Sequence, residues 1–309
     1  MPMSTKVGGV WETVTTPSVK VAGVWEEVTN GFVKVGGVWE EFYPGIQELT
    51  ITNGVNFNLK TNAAFLALDK TKPINVYLEG TFYSNNNAFG ALIVEDLSTW
   101  NSVHIYIDAA ATITGKGGLG GSANSGLGGG GGNAVNVLIA NTSSVLSITN
   151  NGLIRGGGGG GGAGSQTSWG DSGLQDCGKS CFVCVVVKTV YAGGGGGGGG
   201  CSSPSSTSAG GSGSASTDGC NSFSSGVAGG TGSTVIGTGG SRGFTYSRQD
   251  LGSTCSACNV RYGVSGANGG TYGAGGNSSS GAGGSAGTAI NNTASFNWTN
   301  NGTVTGPVS

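Results

Sequence analysis

The chain has 309 residues and a mass of 30.1 kDa, and 67 of those residues are Gly, about 22 % against a usual ~7 %, while charged residues stand at 9 % against a usual ~25 %. That composition excludes an ordinary enzyme core. A formal charge of −2 and a pI near 5.4 leave no basic field to hold phosphate backbones, which excludes nucleic acid as the main partner.

The amino terminus, MPMSTKVGG, lacks an apolar signal region, and the longest apolar run, Cys181 to Val187, falls far short of the ~20 residues that cross a bilayer. The expectation is synthesis in a cytoplasm. Glycine is unevenly placed, with 10 in residues 1–114, 55 in 115–287 and 2 in the last 22. Three segments follow from this texture: 1–45, 46–114 and 115–309.

Residues 1–45 hold a repeat of period 14 that opens at Lys6, Lys20 and Lys34 and reads KVGGVWETV, KVAGVWEEV and KVGGVWEEF. It aligns Trp11, Trp25 and Trp39, and Glu12, Glu26 and Glu40. A Gly-Gly or Ala-Gly step between β-favouring stretches predicts a hairpin whose turn needs positive φ. A hairpin this short cannot bury its own Trp, so stability has to come from neighbouring copies or other chains.

Residues 46–114 predict a small β domain. ELTITN, INVYLEG, ALIVEDL and SVHIYIDAAATIT alternate with a period near two, and no helix of any length is expected. Val103, Ile105 and Ile107 fall on one face of a strand, and His104, the chain's one His, on the polar face with Tyr106 and Asp108. With no second His to share a metal or relay a proton, it reads as a surface residue.

From Gly115 short glycine runs alternate with loops: GKGGLGG, GLGGGGGN from Gly126, GGGGGGGAG from Gly156, GGGGGGGG from Gly193, and looser runs at 209–213, 226–240 and 263–287. Six Pro and no strict G-X-Y period exclude collagen. A solvated linker would not need the bulky segments 165–192, 201–225 and 241–262 between the runs. The remaining structure is a bundle of polyglycine II helices, left-handed and threefold, with ~3.1 Å rise and no internal hydrogen bonds. Their amides have to pair with neighbouring helices, and any inward side chain would wedge them apart. The expected fold is therefore all-β without substantial helix, ending in a polyglycine II bundle that carries long apical loops.

Several strings match catalytic motifs through composition alone. Gly173, Gly178, Lys179 and Ser180 spell a P-loop, but the residues that follow, CFVCVVVKTVY, favour a strand where phosphate binding needs a helix. Gly115, Gly117 and Gly120 fit G-x-G-x-x-G, and Gly283, Ser285 and Gly287 fit G-x-S-x-G, with no helix or elbow in view. After residue 115 the acids are Asp171, Asp176, Asp218 and Asp250, too sparse for a glycosidase pair. No enzyme activity and no cofactor are expected.

All seven Cys lie between 177 and 258. Cys181 with Cys184 and Cys255 with Cys258 form two C-x-x-C pairs, a spacing compatible with zinc. Disulfides tying the 165–192 loop to the 241–262 loop, with Cys177, Cys201 and Cys220 pairing among themselves or across chains, are the alternative favoured here, beside free buried thiols. For binding, the loops supply Trp169, Phe182, Tyr191, Phe223, Arg242, Phe244, Tyr246, Arg248, Arg261 and Tyr262, mostly types enriched at interfaces. Trp298 reads as structural.

The strings IYIDAAATITGKGGLGG, GGGGGNAVNVLI, ITNNGLIRGGGGGGGAG and the closing AGTAINNTASFNWTNNGTVTGPVS resemble the receptor-recognising tip adhesins on the long tail fibres of T-even-type bacteriophages. The resemblance covers 103–309. It implies a polyglycine II bundle holding variable loops that bind an outer-membrane protein or surface glycan of the host. The KVGGVWEEV unit resembles repeats of other phage fibre proteins, implying attachment to tail or fibre proteins, and the exposed Trp edges of the hairpins, which need partners, point to a homotrimer. The reading is thus a virion protein of the tail fibre made in the host cytoplasm, the alternatives being a virion scaffold element or a glycine-rich structural or ice-binding protein.

Overall fold

A computed structural model describes the chain apart from residues 1–3, 8–9, 14–17, 29–30, 44, 124–125, 139–144, 177–182, 193–199, 216–222, 243 and 251–255. For most of the N-terminal strands and for 169–176, 183–192, 223, 244–250 and 256–261 it describes the backbone path alone. The chain opens with three antiparallel hairpins, each its own two-stranded sheet. They join β1 (Ser4–Val7) to β2 (Val10–Thr13), β3 (Ser18–Val21) to β4 (Val24–Glu27), and β5 (Gly31–Val35) to β6 (Val38–Tyr43). Their registers set Lys6, Lys20 and Lys34 opposite Trp11, Trp25 and Trp39, as the repeat predicts. Both central turn residues carry positive φ, 48° and 89° at Ala22 and Gly23 and 57° and 92° at Gly36 and Gly37, which matches the right-handed twist of the strands. Val21, Val24, Val35 and Val38 beside these turns are exposed.

The next strands are β7 (Gln47–Val55), β8 (Phe57–Asn58), β9 (Pro73–Tyr83), β10 (Leu92–Val94), β11 (Ser102–Ile107), β12 (Thr112–Thr114) and β13 (Val135–Val137). After them come β14 (Leu146–Asn150) and β15 (Leu153–Arg155), and, at the end of the chain, two more that complete the same sheet. Between lie β16 (Thr167–Asp176), β17 (Val183–Ala192), β18 (Phe223–Ser224), β19 (Phe244–Asp250) and β20 (Ser256–Tyr262). The closing pair are β21 (Asn297–Asn300) and β22 (Thr303–Thr305). One helical turn, α1 (Ala63–Leu66), is capped by the Asn62 side chain, which accepts from Phe65 N at 2.9 Å. The chain is nearly all β.

Strands β7 to β15, with β21 and β22, pair only in parallel, and each circuit of the chain adds one strand to each of three ladders. The first ladder stacks β7, β9, β11, β14 and β21. A second stacks the latter halves of β7 and β9 with β12, β15 and β22. The third runs β8, β10, β13 and then single bridges at Ile290 and Val308. This is a parallel β-solenoid. Alternation drives it, because every second residue points inward and stacks on its register partner. Val76 lies beside Ile105 and Ile105 beside Ile148, while Phe82 lies beside Ile113 and Ile113 beside Ile154, all buried. Each such side chain contributes about 1.5–3 kcal/mol of burial. At the corner between the first two ladders Gly80 takes φ 77°, where a Cβ would strike the Thr52 carbonyl, and Asn53 Oδ1 accepts from Thr81 N at 3.0 Å.

The solenoid strands run straight into glycine. β12 continues as 115–121 and β15 as 156–164, whereas 128–134 leads back into β13 and 281–289 into the Ile290 bridge. The change of texture at residue 115 is therefore not a boundary of hydrogen bonding, since β14, β15, β21 and β22 lie beyond it and still pair in the solenoid ladders. The segment 156–163 sits at the centre of the bundle and bonds to seven neighbouring segments among the described residues, Gly156 N at its start donating to Thr305 O (3.0 Å). Its amides donate to 126–132 from Gly157, Gly160 and Ala163, to 274–277 from Gly159 and Gly162, and to Cys201 O from Gly158. Its carbonyls accept from Gly118 and Gly121, from Gly281, Gly284 and Gly287, and from Ala267, Gly270 and Gly273. These bonds span 2.7–3.0 Å and recur every three residues in each direction, the signature of a threefold helix bonded only to its neighbours. A Cβ would collide with backbone carbonyls in the same rhythm: Lys116 and Leu119 at Gly157 and Gly160, Gly270 and Ala267 at Gly158 and Gly161, Gly284 and Gly281 at Gly159 and Gly162. The Cα–H groups thus face carbonyl oxygens, contacts worth perhaps 0.5–1 kcal/mol each.

Two substitutions test this account. Gly160→Ala should lower stability by about 1–3 kcal/mol or more in denaturant unfolding, because the Leu119 carbonyl it would strike is backbone. Ala22→Gly should stabilise the second hairpin by about 1 kcal/mol by relieving a left-handed alanine, read as slower amide exchange over 18–27.

Candidate functional site

The glycine helices reverse direction at two ends. One end joins the solenoid strands. Among the described residues, the other gathers 122–123 and 126, 164–167, 212–215 and 224–226, 241–242 and 262–265, and 278–281. Contacts bring these together: Ala123 N donates to Ser212 O (2.8 Å), Gln166 Nε2 to Ala215 O (2.7 Å), Val227 N to Ser241 O (2.9 Å) and Val264 N to Ser165 O (3.2 Å), and Ser165 Oγ meets Ser280 Oγ at 3.0 Å. From this end rise two antiparallel sheets, β16 with β17, and β18 with β19 and β20. The Thr167 hydroxyl at the base of the first donates to Tyr262 O at the base of the second (3.0 Å).

Nine of the ten loop residues singled out in the sequence fall on or beside these sheets. Trp169 is in register with Val190, and Tyr191 with Ser168. Thr245 stands opposite Phe223 on one side and Arg261 on the other. Phe244 pairs with Tyr262, Tyr246 with Val260, and Arg248 with Cys258. Arg242 is exposed and lays its guanidinium over the Tyr262 ring, 4.4 Å from its centroid, with Tyr262 itself 47 % exposed. This cation–π pair is worth about 0.5–1 kcal/mol at an exposed site and leaves a cationic and aromatic surface facing solvent. Phe182 lies outside the described residues.

The cysteines divide. Cys184 occupies β17 opposite Gln175, and Cys258 occupies β20. Cys177, Cys181, Cys220 and Cys255 lie outside the described residues. Cys201 departs from the disulfide expectation: it is a free thiol buried in the bundle, 3.8 Å from Thr234 O, and burial pushes it up from its ordinary value. It stands next to Gly200 in the glycine bundle, where its carbonyl accepts from Gly158 N on the central helix and its amide donates to Gly270 O.

Two of the motif strings dissolve in the bundle, while Gly178, Lys179 and Ser180 of the P-loop string lie outside the described residues. Gly115, Gly117 and Gly120 belong to one glycine helix, and Gly283, Ser285 and Gly287 to another, with no phosphate cradle or nucleophile elbow. Among the described residues no three of His, Cys, Asp and Glu come together. Trp298 packs against the solenoid core.

His104 is on the outer face of the first ladder, as alternation predicts, but it is half-buried rather than free on the surface. Its ring stacks on Tyr106 at 3.9 Å, Tyr106 stacks on Tyr77 at 5.1 Å, and Nε2 meets Thr149 Oγ1 at 2.8 Å. Alternation gave the face and put His104 beside Tyr106 on one strand, while the contact of Tyr106 with Tyr77 needed the register of β9 against β11. Burial holds the imidazole below its ordinary value of 6.5, so the unfolded chain binds the proton first. Stability should therefore be full above pH 6.5 and fall as pH drops from there to the lowered native value, a loss that His104→Gln should lack when denaturation midpoints are compared across pH.

Residues 47–183 match the family model for the phage tail fibre adhesin Gp38. Among solved structures the chain is similar to the crystal structure of the gp37-gp38 adhesin tip complex of the bacteriophage S16 long tail fiber, at 21 % identity over 87 % of this chain and 82 % of that one, with a TM-score of 0.45. No curated protein matches it. The Gp38 match supports a tail fibre adhesin function and, with it, a place in the virion tail.

Proposed function

Taking the tail fibre adhesin match of residues 47–183 as premise, we propose that the protein recognises a bacterial surface receptor through the two hairpin sheets at the free end of the glycine bundle. The observation that carries the reading is the gathering there of Trp169, Tyr191, Phe223, Arg242, Phe244, Tyr246, Arg248, Arg261 and Tyr262, drawn from segments up to 93 positions apart in the chain. The solenoid and bundle act as a rigid mount, so that little ordering is lost on contact. Aromatic and Arg side chains supply the anchors. The receptor is an outer-membrane protein or a surface glycan, and several copies on one virion add weak contacts through effective concentration.

The N-terminal hairpins serve attachment to other tail or fibre proteins, or self-association as a trimer, through the repeated edges that expose Val21, Val24, Val35 and Val38. Cys177, Cys181, Cys184, Cys220, Cys255 and Cys258 tie the recognition loops by disulfides, which would remove about 3–4 kcal/mol of loop freedom from the unfolded chain for each long closure. The protein acts by binding alone, without catalysis, after synthesis in the host cytoplasm.

Binding of the full chain to cells of the host tests the reading. Trp169→Ala, Phe244→Ala and Tyr246→Ala should each weaken binding by tenfold or more, while Thr50→Ala on the outer solenoid face leaves it unchanged. Equal binding by all four folded variants would move recognition away from the hairpins and leave the bundle a scaffold.

A further inference from the structure

Where β12 passes into glycine, an open cavity of about 440 Å³ lies between the loop 85–87, which forms one wall, and Lys116, Leu119 and Gly130, which form the other. It belongs to the end of the bundle that joins the solenoid, away from the hairpin sheets.

The loop is fixed from behind. Asn56, held at φ 45°, grips Asn85 twice: its Nδ2 donates to Asn85 Oδ1 (2.5 Å) and its Oδ1 accepts from Asn85 N (3.1 Å). Asn86 Oδ1 accepts from Ala88 N (2.9 Å). Asn87 Nδ2 donates to Gly130 O (2.5 Å) and Gly117 O (3.3 Å), which ties the loop to the glycine flank. Each of these bonds uses one half of a carboxamide. The other halves, Nδ2 of Asn85, Nδ2 of Asn86 and Oδ1 of Asn87, have no partner among the described residues.

The facing wall adds a cation and an apolar surface. The Lys116 ammonium donates to Ser206 Oγ (3.2 Å) and Thr207 O (2.9 Å), which leaves one of its three N–H groups, and no carboxylate pairs with it among the described residues. Burial holds it below its ordinary value, as expected of a cation without a counter-charge. Leu119 is 52 % exposed and supplies the apolar part.

Unpaired donors outnumber acceptors here, and the one ionisable residue in the lining is a cation, so the matching ligand is rich in acceptors and negatively charged. The free Asn87 oxygen and Leu119 further suit hydroxyl groups and a C–H surface. A sugar with a carboxylate combines all of these. The volume falls in the range of about 300–1,000 Å³ usual for small-molecule pockets, more than an inorganic anion fills. A loop already fixed by its own hydrogen bonds loses little freedom on binding.

We propose that this cavity binds a carboxylate-bearing sugar of the uronic acid class. The Asn85 and Asn86 amides and the Lys116 ammonium donate to its oxygens, Asn87 Oδ1 accepts from a hydroxyl, and Leu119 packs on the ring. The site is separate from the hairpin surface and stands or falls independently of receptor binding there. On a cell coated with acidic polysaccharide it gives the protein a second hold, on the side of the bundle.

Calorimetric titration of the full chain with glucuronate, glucose and inorganic phosphate, at one ionic strength, tests the proposal. Glucuronate should bind at least tenfold more tightly than glucose or phosphate. Asn86→Asp keeps the oxygen that accepts from Ala88 N but replaces a donor by negative charge, and should weaken glucuronate binding at least tenfold with an unchanged melting temperature. Lys116→Met should erase the preference for glucuronate over glucose. Phe244→Ala on β19 should leave the affinity as it is. Absence of glucuronate binding, glucose or phosphate bound as tightly, or undiminished binding by the folded Asn86→Asp variant would overturn the proposal.

Discussion

A backbone without internal hydrogen bonds has to find partners on every side, and this one requirement governs the molecule. The central segment 156–163 meets it by bonding to neighbours on every side, and the absence of Cβ atoms is what lets those neighbours approach. The entropy that glycine loses on ordering is the largest of any residue, so no single helix of this kind is stable alone. Cooperative packing offsets that loss only when several helices are delivered together in the right direction and phase.

The solenoid does that delivery. Its strands are parallel and in register, so β12 and β15 feed 115–121 and 156–164 side by side, already bonded at Gly115 N to Arg155 O (2.8 Å). Returning helices hand the chain back to β13 and to the Ile290 bridge. The apolar stacks of Val76, Ile105 and Ile148 anchor one end with ordinary hydrophobic burial, which the glycine helices lack. Strand order and helix order are one arrangement seen at two ends.

This arrangement explains where variation can be placed. A side chain within the bundle strikes a carbonyl, and one within the solenoid has to fit a stack, so long and dissimilar sequence is admitted only where the helices turn back. Those turns carry the antiparallel sheets β16–β17 and β18–β20, the aromatic and Arg residues, and the Arg242–Tyr262 pair.

Much of this was legible in local sequence. The 14-residue repeat, its positive-φ turns, the period-two strands of 74–78 and 103–107 and the threefold glycine runs are encoded in short stretches, because turn sterics, pleat alternation and the missing Cβ act within a few residues. What sequence could not decide was pairing between distant segments. That β21 and β22 close a sheet begun at β7, that Cys201 is buried against the central helix, and that Tyr106 stacks on Tyr77 all depend on which distant segments lie side by side. Glycine runs are nearly identical in composition, so each could bond to any other. The three-dimensional path, which fixes which runs lie side by side, alone decided which ones do.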